Sequence, residues 1–213
     1  MLMNTFQLLI DRSDFFIKLL LEHIMITGIA VVIITVMGLM IGIWMVQNSR
    51  VANIILTVIN FVYTIPSIAL FGMLVTLTGI GDKSAIIALV IYGLLPVVRS
   101  VYVGINEVDP QVIESATGMG STKLQLLIKV QLLLALPVIF AGFRTMVVMT
   151  IALGGIASFI GAGGLGVAIY RGITTYFPEM IFAGSFLVAF LAVVTDFILG
   201  WIEKYLKRKV LGV

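Results

Sequence analysis

"ESATGMGSTKLQLLIKVQLLLALP", residues Glu114 to Pro137, decides how this chain folds. Its neighbours on both sides are almost entirely apolar. This segment opens polar, contains Gly118 and Gly120, and carries Lys123 and Lys129. Just upstream, Asp109 is a good N-cap and Pro110 suits the first helical position. A short helix is therefore predicted over 111–117. Gly118 and Gly120 end it, because glycine accepts the left-handed geometry of a helix C-cap. Ser121 can cap a second helix that runs into the next apolar stretch. The product is a helix–turn–helix knuckle. Lipid has no use for one, but a soluble partner can take a short helix into a groove.

The surroundings of the knuckle set the class. Of 213 residues, 61% are hydrophobic and 11% charged. Soluble domains average about 45–50% apolar and about 25% charged. The excess points to a membrane protein. There is no cysteine, which excludes disulfides and thiolate metal sites, and the single histidine, His23, cannot build a metal site alone. His23 reads as a helix-end residue near the lipid interface. No basic stripe with interleaved aromatics supports nucleic-acid binding. Asp11, Arg12 and Asp14 interrupt any signal-peptide core, so residues 1–20 read as an amphipathic segment at the membrane surface.

Five apolar runs of spanning length follow, near 24–46, 53–77, 84–105, 133–157 and 180–202. Pro66 interrupts the second and Pro96 the third. The fold class is all-α integral membrane, with a permease domain over 21–205, a loop at 106–132 and a basic tail at 206–213. Eight cations (Arg50, Arg99, Lys123, Lys129, Lys204, Lys207, Arg208 and Lys209) fall on one side. Arg12, Lys18, Lys83 and Arg171 fall on the other. The positive-inside rule then puts the N-terminus outside and the knuckle and C-terminus in the cytoplasm.

Glu114-Ser115-Ala116, three residues, Gly120 and an apolar helix ending in Leu136-Pro137 resemble the EAA loop of ABC importer permeases. Ser115 replaces the first alanine of that pattern, and Leu133 stands where the family often has proline. "YTIPSIALFGMLVTLTGIG" (63–81), "YGLLPVVRSVYVGI" (92–105), "ALPVIFAGFRT" (135–145) and "ASFIGAGGLG" (157–166) are similar to the permeases of osmoprotectant importers, which carry glycine betaine, carnitine, choline and related quaternary ammonium compounds. The resemblance implies a type I ABC importer permease in a bacterial cell membrane. It also implies a second permease chain, cytoplasmic ATPase subunits and an extracellular substrate-binding protein. ATP and Mg would sit on the ATPase, with no cofactor on this chain, which is no enzyme. Glu114, Ser115, Ala116, Gly118, Gly120 and Lys123 would couple to the ATPase. Consistently, "GIGDKS" and "GMGSTK" lack the phosphate-loop pattern.

"GAGGLG" (161–166) satisfies G-x-G-x-x-G but has no soluble strand–helix unit around it. It reads either as a flexible extracellular segment or as a contact for the binding protein through Gly161, Gly163, Gly164 and Gly166. Arg144 and Asp196 fall inside apolar runs, where charge is costly. Either they pair across helices and hold a gate, or Asp196 simply reaches the interface. Arg99 reads as snorkelling or pairing near the knuckle. Tyr63, beside Pro66, and Tyr92 and Tyr102 either offer aromatic faces to a cation or serve as packing. Gly38 and Gly42 allow close helix approach, between chains or within one. Rival functions are an ABC permease for an amino acid such as methionine, a stand-alone channel or secondary transporter, or a structural anchor.

Overall fold

The structure, a computed structural model, describes residues 2–212. It is built from ten α-helices among the described residues: α1 (Leu2–Asp11), α2 (Ser13–Val46), α3 (Ser49–Tyr63), α4 (Ser67–Thr78), α5 (Asp82–Asn106), α6 (Pro110–Gly118), α7 (Lys123–Leu126), α8 (Leu132–Ala157), α9 (Gly166–Thr174) and α10 (Pro178–Leu211). A π-turn, Leu127–Gln131, joins α7 to α8, so Lys123–Ile160 runs as one helical segment. Four segments are long and apolar enough to cross a membrane singly, and α3 with α4 make a fifth that bends by 97°. Its two ends lie at opposite ends of the bundle. Gln47, before it, lies beside Lys123, whereas the Gly81 amide, after it, donates to the Ile160 carbonyl at 3.1 Å. The bent pair is therefore one traverse, and the five expected spans are present.

Helix α5 is the centre of the bundle. Ala85, Leu89, Val97 and Val101 on α5 pack against Ile26, Ala30 and Ile34 of α2 and against Met146 and Ile151 of α8. Gly38 and Gly42 face this contact: a Cβ on Gly42 would lie 2.6 Å from Val101 Cβ, and one on Gly38 would lie 2.6 Å from Val97 Cγ1. The GxxxG pair thus serves close packing within one chain. On the far side of α8, Gly184 brings α10 against Ala168 and Ile169 of α9.

Several boundaries differ from the sequence reading. The amphipathic segment at 1–20 is split at Arg12, and its second half belongs to the first long helix, where Phe16 and Leu19 are buried. The loop at 106–132 is helical over much of its length. Thr122, not Ser121, caps its second helix, because Gln125 stands three residues later and closes a capping box: the Gln125 amide donates to Thr122 Oγ1 at 3.3 Å, and the Thr122 amide to Gln125 Oε1 at 3.0 Å. The tail at 206–213 continues α10 as far as Leu211.

Candidate functional site

Four groups of residues stand out, ordered along the bundle from the end where α8 stops to the end that carries α6.

At the first end, Gly161–Gly166 is a docked turn, which corrects the reading of it as flexible. Gly161 (φ +78°) and Gly164 (φ +95°) adopt left-handed backbone that other residues rarely take. Two carboxylates from distant parts of the chain hold the turn. The Gly163 amide donates to Asp82 Oδ1 at 3.0 Å, and the Gly164 amide donates to Glu22 Oε2 at 3.2 Å. Glu22 also lies 4.0 Å from Lys18 Nζ. Gly166 is buried against the Gly155 carbonyl. His23 packs beneath the turn. It is buried rather than at the lipid interface, and its Nε2–H donates to the Ile151 carbonyl at 3.1 Å. The turn thereby ties α2, α5 and α8 together at one end.

The second group surrounds the break between α3 and α4. A 97° bend frees backbone carbonyls, and a freed carbonyl at membrane depth needs a donor. Tyr92 of α5 supplies one: its buried phenol donates to the Ile65 carbonyl. Tyr63 packs edge-on against Tyr92, with ring centroids 5.7 Å apart, and its hydroxyl donates to Met149 Sδ at 3.0 Å. Pro66 starts the second arm with its ring exposed. Met149 is eleven residues from Ile160, so this break sits roughly 16 Å from the glycine end, near mid-depth. Tyr102 is not part of it and packs with Met45 and Val98 nearer the other end.

Third, Arg144 of α8 and Asp196 of α10 are brought together. The guanidinium donates from Nε to Asp196 Oδ1 at 2.6 Å and from Nη2 to Oδ2 at 2.7 Å, a bidentate fork. Its remaining arm, Nη1, donates to Glu203 Oε2 at 2.9 Å. Gly200 makes this possible, since a Cβ there would stand 3.0 Å from Arg144 Cζ. The cluster lines an open groove of about 640 Å³, with Thr145, Val148 and Met149 on its wall. Glu203 and Gly200 escaped the sequence reading. Their spacing from Asp196, seven and four residues along one helix face, was the available signal.

The last group is the knuckle. No residue of α6 is buried. Asp109 caps it, accepting from the Gln111 amide at 2.8 Å; Gly118 remains within the helix instead of ending it, and Gly120 alone of the two glycines turns the chain, with φ +88°. Glu114, Ser115, Gly118 and Lys123 are exposed and Ala116 is half-buried. Met119, exposed over 87% of its surface, and Leu124 add an apolar surface that the sequence reading missed. Arg99 is exposed near this end and forms no ion pair among the described residues.

Residues 34–212 match the family described as "Binding-protein-dependent transport system inner membrane component". The chain is 39% identical over 188 residues to the carnitine transport permease protein OpuCB of Listeria monocytogenes, covering 88% of this chain and 86% of that protein. It is 38% identical over 185 residues to the choline transport system permease protein OpuBB of Bacillus subtilis, covering 87% and 85%. With the ergothioneine transport permease/ergothioneine binding protein EgtU of Helicobacter pylori it shares 44% identity over 164 residues. That match covers 77% of this chain but spans only 30% of the H. pylori protein. Among solved structures, an inward facing form of the MetNI methionine ABC transporter superposes with a TM-score of 0.82 at 22% identity, covering 90% of this chain and 95% of that one. The fold is that of a type I ABC importer permease.

Proposed function

The chain belongs to the binding-protein-dependent transport system inner membrane components, and from that membership and its geometry we propose that it carries small trimethylammonium compounds inward. As a permease of this family it is a multi-pass membrane protein. Carnitine, choline and ergothioneine, named for three relatives, share one chemical feature, the trimethylammonium group. The observation that carries the reading to this chain is the broken helix at mid-depth. Interrupted helices near the bilayer midplane are a recurrent way to build transport sites. Here the break presents the exposed Tyr63, backed by the buried Tyr92, and aromatic faces attract quaternary ammonium groups. Pro66 sets the break.

The remaining roles follow in the same reading. Cytoplasmic ATPase subunits dock on α6, with Glu114, Ser115, Ala116, Gly118, Gly120 and Lys123 at the contact and Met119 as an apolar anchor. ATP and Mg stay on those subunits, and this chain binds no cofactor. A second permease chain, identical or homologous, completes the pore. The knuckle and C-terminus face the cytoplasm and the N-terminus faces out, as the excess of cations at that end supports. Arg144 and Asp196, with Glu203, lock α8 to α10 and release as the pore changes access. Arg99, exposed and with no ion pair among the described residues, snorkels toward the knuckle end. The extracellular binding protein meets the glycine end. Buried Gly164 and Gly166 cannot touch it, whereas Gly161 is exposed and Gly163 half-exposed. Tyr176 suits the contact better. It is 93% exposed, and at φ +54° it is the one described non-glycine residue in left-handed backbone, a strain its uncovered ring cannot repay by packing.

The test is to purify the chain with its partners, reconstitute them in vesicles and follow labelled choline. Uptake that needs ATP and the binding protein, and that carnitine or glycine betaine competes away, is expected. Uptake without ATP would refute the importer reading. Competition by methionine but not by betaines would refute the substrate class and favour the amino-acid alternative.

A further inference from the structure

Helix α10 runs 34 residues, about 51 Å, whereas a hydrocarbon core is about 30 Å thick. Lys204 lies 25 residues after Glu179, so the final turns stand in the headgroup region when Glu179 is at the opposite surface. Those turns carry Lys204, Lys207, Arg208 and Lys209, four cations in six residues, all exposed. None of them forms an ion pair among the described residues. The one side-chain carboxylate in residues 199–212 is Glu203, and it is turned inward onto Arg144 at 2.9 Å. No free side-chain carboxylate therefore stands beside these cations on their own helix.

Their register is ordered. Trp201, Lys204 and Arg208 follow one another at spacings of three and four, which stacks them on one helix face. Ile202, Leu206 and Val210 form a separate half-buried line. Trp201 is 71% exposed and Tyr205 is also exposed. An aromatic ring at the acyl boundary followed one turn later by ammonium and guanidinium groups is the arrangement that meets an anionic headgroup: the ring lies along the glycerol region and the cations reach the phosphate.

We propose that this end of α10, with Trp201, Lys204 and Arg208 on one face and Tyr205, Lys207 and Lys209 flanking it, is a binding site for anionic phospholipid. The occupant is a lipid and not an acidic protein surface, because the cations continue a membrane-spanning helix without a break and are preceded by aromatics at interface depth. Attraction of this kind is screened by salt, with a Debye length of about 8 Å at physiological ionic strength.

The full chain, reconstituted in phosphatidylcholine vesicles, is probed with trace spin-labelled phosphatidylglycerol and, separately, spin-labelled phosphatidylcholine. The readout is the fraction of each label immobilised by the protein. One cation at the surface is worth roughly fivefold in local lipid preference. Averaging over all lipids that touch the protein dilutes this, and a preference of about threefold for phosphatidylglycerol is expected. K204Q/K207Q/R208Q/K209Q should bring the ratio to about one, as should high salt. R12Q/K83Q, at the other end, should leave it unchanged. No preference in the wild type would overturn the proposal, as would a quadruple variant that keeps it. A quadruple variant that loses its ATPase partner on purification while keeping the lipid preference would overturn it too, and would assign the cations to a protein contact.

Discussion

Gly163 and Gly164 are neighbours, yet alanine should have very unequal consequences at the two positions. At Gly164 the backbone is left-handed (φ +95°), and a new Cβ would stand 3.0 Å from His23 Nδ1 and 3.1 Å from His23 Cα. The second contact is with the backbone of α2, at the buried His23, and cannot swing away. Left-handed geometry costs a non-glycine residue roughly 1–2 kcal/mol. Overpacking a tight contact costs roughly 1–3 kcal/mol more. About 3 kcal/mol in total should lower the melting temperature of a chain this size by roughly 6–12 °C. At Gly163 the backbone is ordinary, and the nearest atom is Glu22 Oε2 at 2.8 Å, the far end of a flexible side chain. That oxygen also accepts from the Gly164 amide, so alanine there should cost about 1 kcal/mol, one hydrogen bond, partly offset by the stiffer unfolded chain. The assay is thermal denaturation of the purified chain in mild detergent. Equal shifts for Gly163→Ala and Gly164→Ala, or an unchanged midpoint for Gly164→Ala, would refute the docked turn.

Tyr92→Phe leaves the Ile65 carbonyl at the helix break without its donor. A cost of about 1–3 kcal/mol should appear as faster amide exchange over residues 64–70, and wild-type exchange would count against the Tyr92 role. Gly200→Val pushes a side chain into the Arg144 guanidinium and should cut choline uptake at least about tenfold by the argument that a paired charge is displaced in a membrane helix. Gly155→Ala, whose new Cβ meets Val188 at an ordinary 3.6 Å, is the control and should transport normally. At Gly120 (φ +88°) there is open space, so only backbone geometry constrains it. Gly120→Asn should therefore keep uptake coupled to ATP hydrolysis, while Gly120→Val should lose coupling or assembly. Equal behaviour of these two variants would remove the turn from the docking argument.

Apolar runs and glycine-ended helices are local signals, so the spans, the knuckle and the Asp109 cap were legible in the sequence. The pairing of Arg144 with Asp196 was open as one of two readings, because charge inside an apolar run asks for a partner. What could not be read depends on distant residues. The glycine turn looked flexible because its anchors, Glu22 and Asp82, lie 142 and 81 positions away. His23 looked peripheral because its acceptor, Ile151, is 128 positions away. Pro66 announced an interruption, but its 97° angle depends on Tyr92 satisfying the break. Glu203 hid among lysines as an ordinary surface charge. The tail looked separate because charge alone marked it, and a helix does not end where its charge begins.

The glycine turn fixes α2, α5 and α8 to one another at a single end, while the segment Lys123–Ile160 extends about 57 Å from that fixed end to the knuckle. If the proposed docking at α6 tilts this segment, Gly161–Gly166 is the fulcrum. A tilt of about 10° that scarcely moves Gly164 sweeps Lys123 through roughly 10 Å, given the helical rise along that length. Force applied at α6 gains its greatest advantage near the fulcrum, and the Arg144 clamp and the Tyr63 break lie in between, at successively smaller displacements. Substitutions of equal local cost should therefore be felt in transport according to their distance from Gly164, and a small loosening of the fulcrum should waste more of the stroke than a larger defect beside the knuckle.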